Sequence, residues 1–214
     1  KANGATLNKD DKEKYRKLSM DLSMLTLQFD QNALKDKNRF ELLITDENEL
    51  SGLPESARDA AAMLAKSKDK DGWLFNLSAP SYIPFMRYSD KRDLREKMYR
   101  EYMSVGNKGD EFDNKDIIKK IVNIRLEIAQ LMGFKNYAEY ALEHTMAKNS
   151  ANVYKLLNQL LEAYKPIAIN EYNAVEGFAL GTEKENITVM PWDWSYYSEK
   201  LRDIRFKVND EMTR

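Results

Sequence analysis

From Lys9 to Asp36 the chain meets neither Gly nor Pro. Tyr15, Leu18, Leu22, Leu25, Phe29 and Asn32 recur there at alternating steps of three and four. At 3.6 residues per turn that spacing lays them along one side of a helix and predicts a long amphipathic helix able to pair with another. The composition favours helix throughout, with eight Gly and five Pro among 214 residues and Leu, Lys, Glu, Met and Ala plentiful.

The rest of the chain reads as shorter helices around one small β element. Phe40–Ile44 and Trp73–Leu77 are predicted strands that pair with each other, a two-stranded element over about 39–45 and 73–78. Gly52 and Pro54 mark a turn into a helix over 55–68. The prolines of APSYIPF (79–85) are expected to break regular structure. Ser89 is the predicted N-cap of a helix with a stripe of Leu94, Met98 and Tyr102, flanked by Tyr99 and Val105. Asn114 is expected to cap a helix closed by Gly133 at C′, a short helix follows from Asn136 to about Thr145, and Ser150 caps a long one that Pro166 kinks. Residues 181–190 read as a loop, with Val189-Met190 extended. In PWDWSYYSEKL, Asp193 sits where an N-cap acid belongs, accepting from the N–H of Ser195 or Tyr196. Tyr197, Leu201, Ile204 and Val208 then share one helical face. Aromatic packing accounts for this stretch better than a substrate cage does. The expected fold class is mainly α, a multi-helix shell with a small two-stranded β element, in one piece over 1–214 with no evident linker.

Composition excludes several chemistries. There is no Cys, so disulfides, thiolate zinc sites and thiol catalysis are absent, and the lone His144 cannot build a two-histidine metal motif or a pair of histidine ligands. Lys and Arg number 34 against 35 Asp and Glu, a net charge of -1 that offers no global attraction to nucleic acid or an acidic membrane surface. No apolar run approaches the roughly 20 residues of a spanning helix.

The remaining motifs read as structure. Asp69-Lys70-Asp71-Gly72 resembles a calcium loop, but its glycine comes early and no twelfth-position glutamate follows, so it is a turn. Gly106-Asn107-Lys108-Gly109 carries the nucleic-acid GXXG letters, with Asp110, Glu111 and Asp113 beside it to repel phosphate, and is a loop. Asn76-Leu77-Ser78, placed in a strand, and Asn186-Ile187-Thr188 match glycosylation acceptors by chance. Glu143-His144 is a surface or capping pair. Charge runs such as DKEKYRK and DKRDLREK are solvated faces with i,i+4 pairs. No catalytic, cofactor-binding or metal-ligating residue is assigned. An enzyme working through carboxylates alone, such as a glycosidase, would need a distinctive acid pair, and none stands out among the 35.

Several stretches resemble, in order, the thimet oligopeptidase and peptidyl-dipeptidase family of zinc metallopeptidases. LSMLTLQFDQNAL (Leu22 to Leu34) is similar to that family's LSxLxxxFxxNxL. PSYIPFMRYSDKRDLREKMYREY matches its PSYxPxMxYxxxRxLRExxYxxY at Pro80, Ser81, Tyr82, Pro84, Met86, Tyr88, Arg92, Leu94, Arg95, Glu96, Tyr99 and Tyr102. DNKDIIKKIVNIRLEIAQLMGFKNYAEYAL resembles DNxxxIxxIVxLRxExAxLLGFxxYAxxxL through Arg125, Glu127, Gly133, Phe134 and Tyr137. WDWSYYSEKLR fits WDxxYYxEKLR at Trp192, Asp193, Tyr196, Tyr197, Glu199, Lys200 and Leu201.

The family works through an HExxH helix, in which two histidines and a downstream glutamate hold zinc and the motif glutamate activates water. No HExxH occurs here, and in the family's order that helix follows WDxxYYxEKLR. The resemblance therefore implies a piece of a larger helical peptidase fold, cut from a longer protein upstream of the zinc helix. It implies a parent that binds zinc and hydrolyses short peptides inside a channel. This chain alone is expected to bind no cofactor, to be inactive, and to self-associate through the apolar face it exposes. Its implied partners are the parent's peptide substrates and the remainder of the parent's catalytic domain, with no nucleic acid and no membrane. The expected compartment is the cytoplasm, with the periplasm as the alternative. The competing reading is a non-catalytic helical interaction module, whose Tyr15–Phe29 seam would bind a partner helix.

Overall fold

The computed structural model describes residues 4–182 and 187–207. Among the described residues the regular elements are α1 (Lys9–Arg39), β1 (Leu42–Ile44), α2 (Glu55–Lys66), β2 (Trp73–Phe75), α3 (Ala79–Tyr88), α4 (Arg92–Met103), α5 (Lys115–Leu131), α6 (Tyr137–Leu142), α7 (Ser150–Thr182) and α8 (Pro191–Phe206), with a 3-10 turn at Glu47–Leu50. The mainly α class with a two-stranded sheet agrees with the sequence reading. The chain divides into two compact units, one of residues 1–35 and 106–166, the other of residues 36–105 and 167–214. Two of the three boundaries fall inside α1 and α7, where no Gly- or Ser-rich linker marks them.

In the first unit, Leu18 of α1 and Ile117, Ile121, Ile128 and Ala129 of α5 are buried. The predicted seam of α1 is engaged by its own chain. Asn114 holds the N-cap position of α5 but makes no cap bond. Its Nδ2 donates to the Phe29 carbonyl and its Oδ1 accepts from Asn32, both at 3.1 Å. The local duty passes to Asp113, which accepts from the Lys115 N–H at 2.9 Å. Tyr15 hydrogen-bonds to Tyr140, and burial with that bond pushes the Tyr140 phenol up to about 12. Gly133 closes α5 as expected: its N–H donates to Gln130 and that of Phe134 to Ala129, the paired bonds of a Schellman turn. Asn136 caps α6. The cap of α7 comes from Asn149, whose side chain accepts from the Asn152 N–H at 2.9 Å, and the predicted cap Ser150 is the first helical residue.

In the second unit, β1 and β2 pair antiparallel, with Leu42 opposite Phe75, Leu43 opposite Leu74 and Ile44 opposite Trp73. The strands are shorter than the sequence suggests. The 69–72 turn delivers β2 onto β1: Gly72 has φ +114, and a Cβ there would stand 2.3 Å from the Ile44 carbonyl oxygen. Ala61 and Ala65, both buried, let α2 lie close to β2. The core gathers Leu42, Ile44, Leu50, Leu77, Phe75 and Phe85, the two rings edge-on at 4.8 Å.

Several expectations fail in this unit. APSYIPF is helical, forming most of α3. Pro80 lies in the first turn, where its missing N–H is an orphan anyway, and Pro84 removes one bond, to the Pro80 carbonyl. An interior Pro costs about 3 kcal/mol, while burying the adjacent Phe85 and Met86 returns roughly 1.5–3 kcal/mol each, so burial wins. Ser89 is not the cap of α4. It is buried, ends α3, and its hydroxyl accepts from the Lys91 N–H at 3.3 Å, while Lys91 holds the N-cap of α4 without a side-chain bond. Asn76 lies just past β2 in a turn, its Oδ1 taking the Ser78 N–H and hydroxyl. The α4 stripe holds, with Met98 buried and the Tyr102 ring stacked on Tyr82 at 4.4 Å. The 106–109 segment is a loop. Val208 and Asn186 lie outside the described residues.

Candidate functional site

The buried polar chemistry of the second unit converges on the first turn of α8. Asp193 is its third residue rather than its N-cap, which is Met190. The carboxylate reaches back to accept the Met190 N–H at 3.0 Å, half of a capping box at the positive end of the helix. It also accepts from two arginines of α4. Arg92 approaches side-on, Nε at 3.0 and 3.1 Å and Nη2 at 2.7 Å, and Nη2 donates also to the Thr188 carbonyl. Arg95 donates from Nη2 at 2.8 Å.

Arg95 is 1% exposed and is the largest of the fully buried side chains. Nη1 donates to the Ser89 carbonyl at 2.8 Å and Nε to the Trp192 carbonyl at 3.3 Å, and the guanidinium lies 3.9 Å above the Tyr196 ring. This accounts for the burial: each of the three nitrogens meets an acceptor and one face of the cation meets a π-cloud. The DKRDLREK run is therefore not wholly a solvated face, although Arg100 and Glu96 do form the expected i,i+4 pair.

A second rung lies beside the first. Asp90 accepts from the Tyr196 hydroxyl at 2.7 Å, Lys200 Nζ at 3.2 Å and the Ser51 hydroxyl at 2.7 Å. The Tyr88 hydroxyl donates to Glu199 at 3.2 Å, and Arg202 pairs with the same carboxylate. The aromatics of PWDWSYY are packing and polar ties. Trp192 joins the main core. Tyr196 and Tyr197 join Val175 and Ala179 in a second cluster, and Trp194, the most exposed of them, stacks on Tyr172.

The electrostatics match the geometry. Burial alone would raise the Asp193 carboxyl. Arg92, the Met190 N–H and Arg95 outweigh it and hold the group below the ordinary carboxylate range. Asp90 follows the same pattern, with burial opposed by Tyr196, Ser51 and Lys200. Glu41 and Asp113 are lowered too, by lysine partners. Acid–base catalysis by a carboxyl pair needs two groups pushed apart, and these shifts all run one way. The cluster can hold α8 on α3 and α4; it is not poised to move protons at neutral pH.

Because the folded Asp193 carboxyl ionises below its unfolded value, its stabilisation is complete above the ordinary carboxylate range and is lost as pH falls through the folded pKa. Acid titration followed by tryptophan fluorescence is expected to show the second unit loosening only below about pH 4. Asp193→Asn should flatten that slope, and an unchanged slope would remove Asp193 as its source.

The only histidine is on the surface: His144 is 63% exposed and its Nε2 stands 3.3 Å from Glu143. No group of three or more His, Cys, Asp or Glu among the described residues is arranged to hold a metal. No described helix is long and apolar enough to cross a membrane.

The pattern of Peptidase family M3 matches residues 85–214. The chain is 38% identical to oligopeptidase A of Haemophilus influenzae, over 99% of this chain and 31% of that protein. It is 37% identical to the probable cytosolic oligopeptidase A of Arabidopsis thaliana, over 99% of this chain and 31% of that protein. Against the dipeptidyl carboxypeptidase of Escherichia coli the identity is 28%, over 97% of this chain and 30% of that protein. The chain belongs to peptidase family M3. It spans about 31% of the length of the curated oligopeptidases A that it matches. The ordered resemblance of the sequence motifs is thereby confirmed.

Proposed function

We propose that this chain is a helical portion of the substrate-channel wall of a zinc-dependent oligopeptidase that hydrolyses short peptides. The observation that supports the reading most strongly is similarity over 99% of the chain to proteins named oligopeptidase A. The residues present do not fit a zinc site: the sequence holds one His and no Cys, and that His pairs with its neighbouring glutamate at the surface. In this reading zinc and the water-activating glutamate belong to an HExxH helix outside the chain. The 214 residues act as one piece of a larger catalytic domain whose remainder is their partner, and are inactive alone. Short peptides are the substrates, and the cytoplasm is the proposed compartment.

The role of α4 and α8 in this reading is mechanical. The arginine pair and Asp193 fix the start of α8, and the aromatics behind it fill the core, so the wall keeps its shape while peptides pass. The interaction-module reading loses support, because Leu18 of the α1 seam is buried and Tyr15 hydrogen-bonds to Tyr140 of the same chain.

A paired measurement of bound zinc and peptide cleavage, on this chain and on one extended at its C-terminus through an HExxH helix, tests the proposal. Zinc and cleavage are expected in the longer chain alone. Robust zinc-dependent cleavage by the 214 residues would overturn the inactive-fragment half. Neither activity in the longer chain would overturn the peptidase half.

A further inference from the structure

We draw no further inference here: the strongest candidate, the small apolar notch between α2, β2 and the start of α3 lined by Ala57, Ala61, Leu64, Phe75 and Ser81, carries nothing because nothing in the structure shows what covers it.

Discussion

Asp193→Asn is expected to destabilise the second unit by about 3–5 kcal/mol, the cost of leaving a buried cation without its counter-charge. The loss falls mainly on Arg95, which is 1% exposed and cannot reach water. Arg92 is 43% exposed at its side chain, so its share is discounted for solvent screening, and Arg92→Ala should cost about 1 kcal/mol or less. The contrast separates a buried clamp from a surface ion pair. All three tryptophans, Trp73, Trp192 and Trp194, lie in the second unit. Their fluorescence during urea denaturation therefore reports this unit. A loss below 1 kcal/mol for Asp193→Asn would mean that Arg95 finds another acceptor or that water enters.

Gly52→Ala should cost about 3 kcal/mol or more, although it adds a single methyl. Gly52 has φ +84, and a Cβ there would stand 2.1 Å from the Tyr88 carbonyl oxygen and 2.8 Å from Asp90 Cγ. The left-handed backbone alone costs an L-residue roughly 1–2 kcal/mol. The clash adds the larger part, because the atom in the way is backbone and cannot rotate aside. Relief would shift the 88–90 segment, which holds the Asp90 N–H to the Ser51 carbonyl at 2.9 Å and presents Asp90 to Tyr196. Gly133→Ala is the control. Its φ is +86, yet nothing lies within 4 Å of the added carbon, so only the conformational cost of roughly 1–2 kcal/mol is expected. Equal losses at the two sites would show that the contact with Tyr88 is not what makes Gly52 necessary.

These two sites show where sequence reasoning reached and where it stopped. Periodicity found α1, the α4 stripe, both strands and the Gly133 stop, because each is encoded within a few residues of itself. Ser89, Asn114, Ser150 and Asp193 were all read as helix caps, and each lies within three residues of a helix start. None of the four makes the expected bond: Ser89 accepts from Lys91 before the helix begins, Ser150 is displaced by Asn149 one position earlier, and Asn114 and Asp193 spend their side chains on tertiary partners. Asn114 reaches α1 and Asp193 reaches α4, across separations of 82 and 98 residues that no local window covers. One signal was available. Arg95 stands three, four and seven positions before Met98, Tyr99 and Tyr102, which places a cation on the apolar stripe, and Asp193 is a lone acid among aromatics. A charge on an apolar face calls for an opposite charge elsewhere on another one. The family motifs located both residues without saying that they touch.

The interleaved order of the two units bears on how the chain is made. The arginines of α4 leave the ribosome long before their carboxylate does, since Arg95 and Asp193 are 98 residues apart. At typical elongation rates of about 5–20 residues per second that is a wait of roughly 5–20 s, during which the whole 106–166 segment emerges. Closing so long a loop adds little entropy beyond that of a shorter one, so the delay is one of supply rather than of search. Until Asp193 arrives, Arg95 keeps its water, and the apolar side of α4 around Met98 lacks the Trp192 ring that completes it. Nascent chains halted between these two points would carry that open surface, the state in which a chaperone would find them.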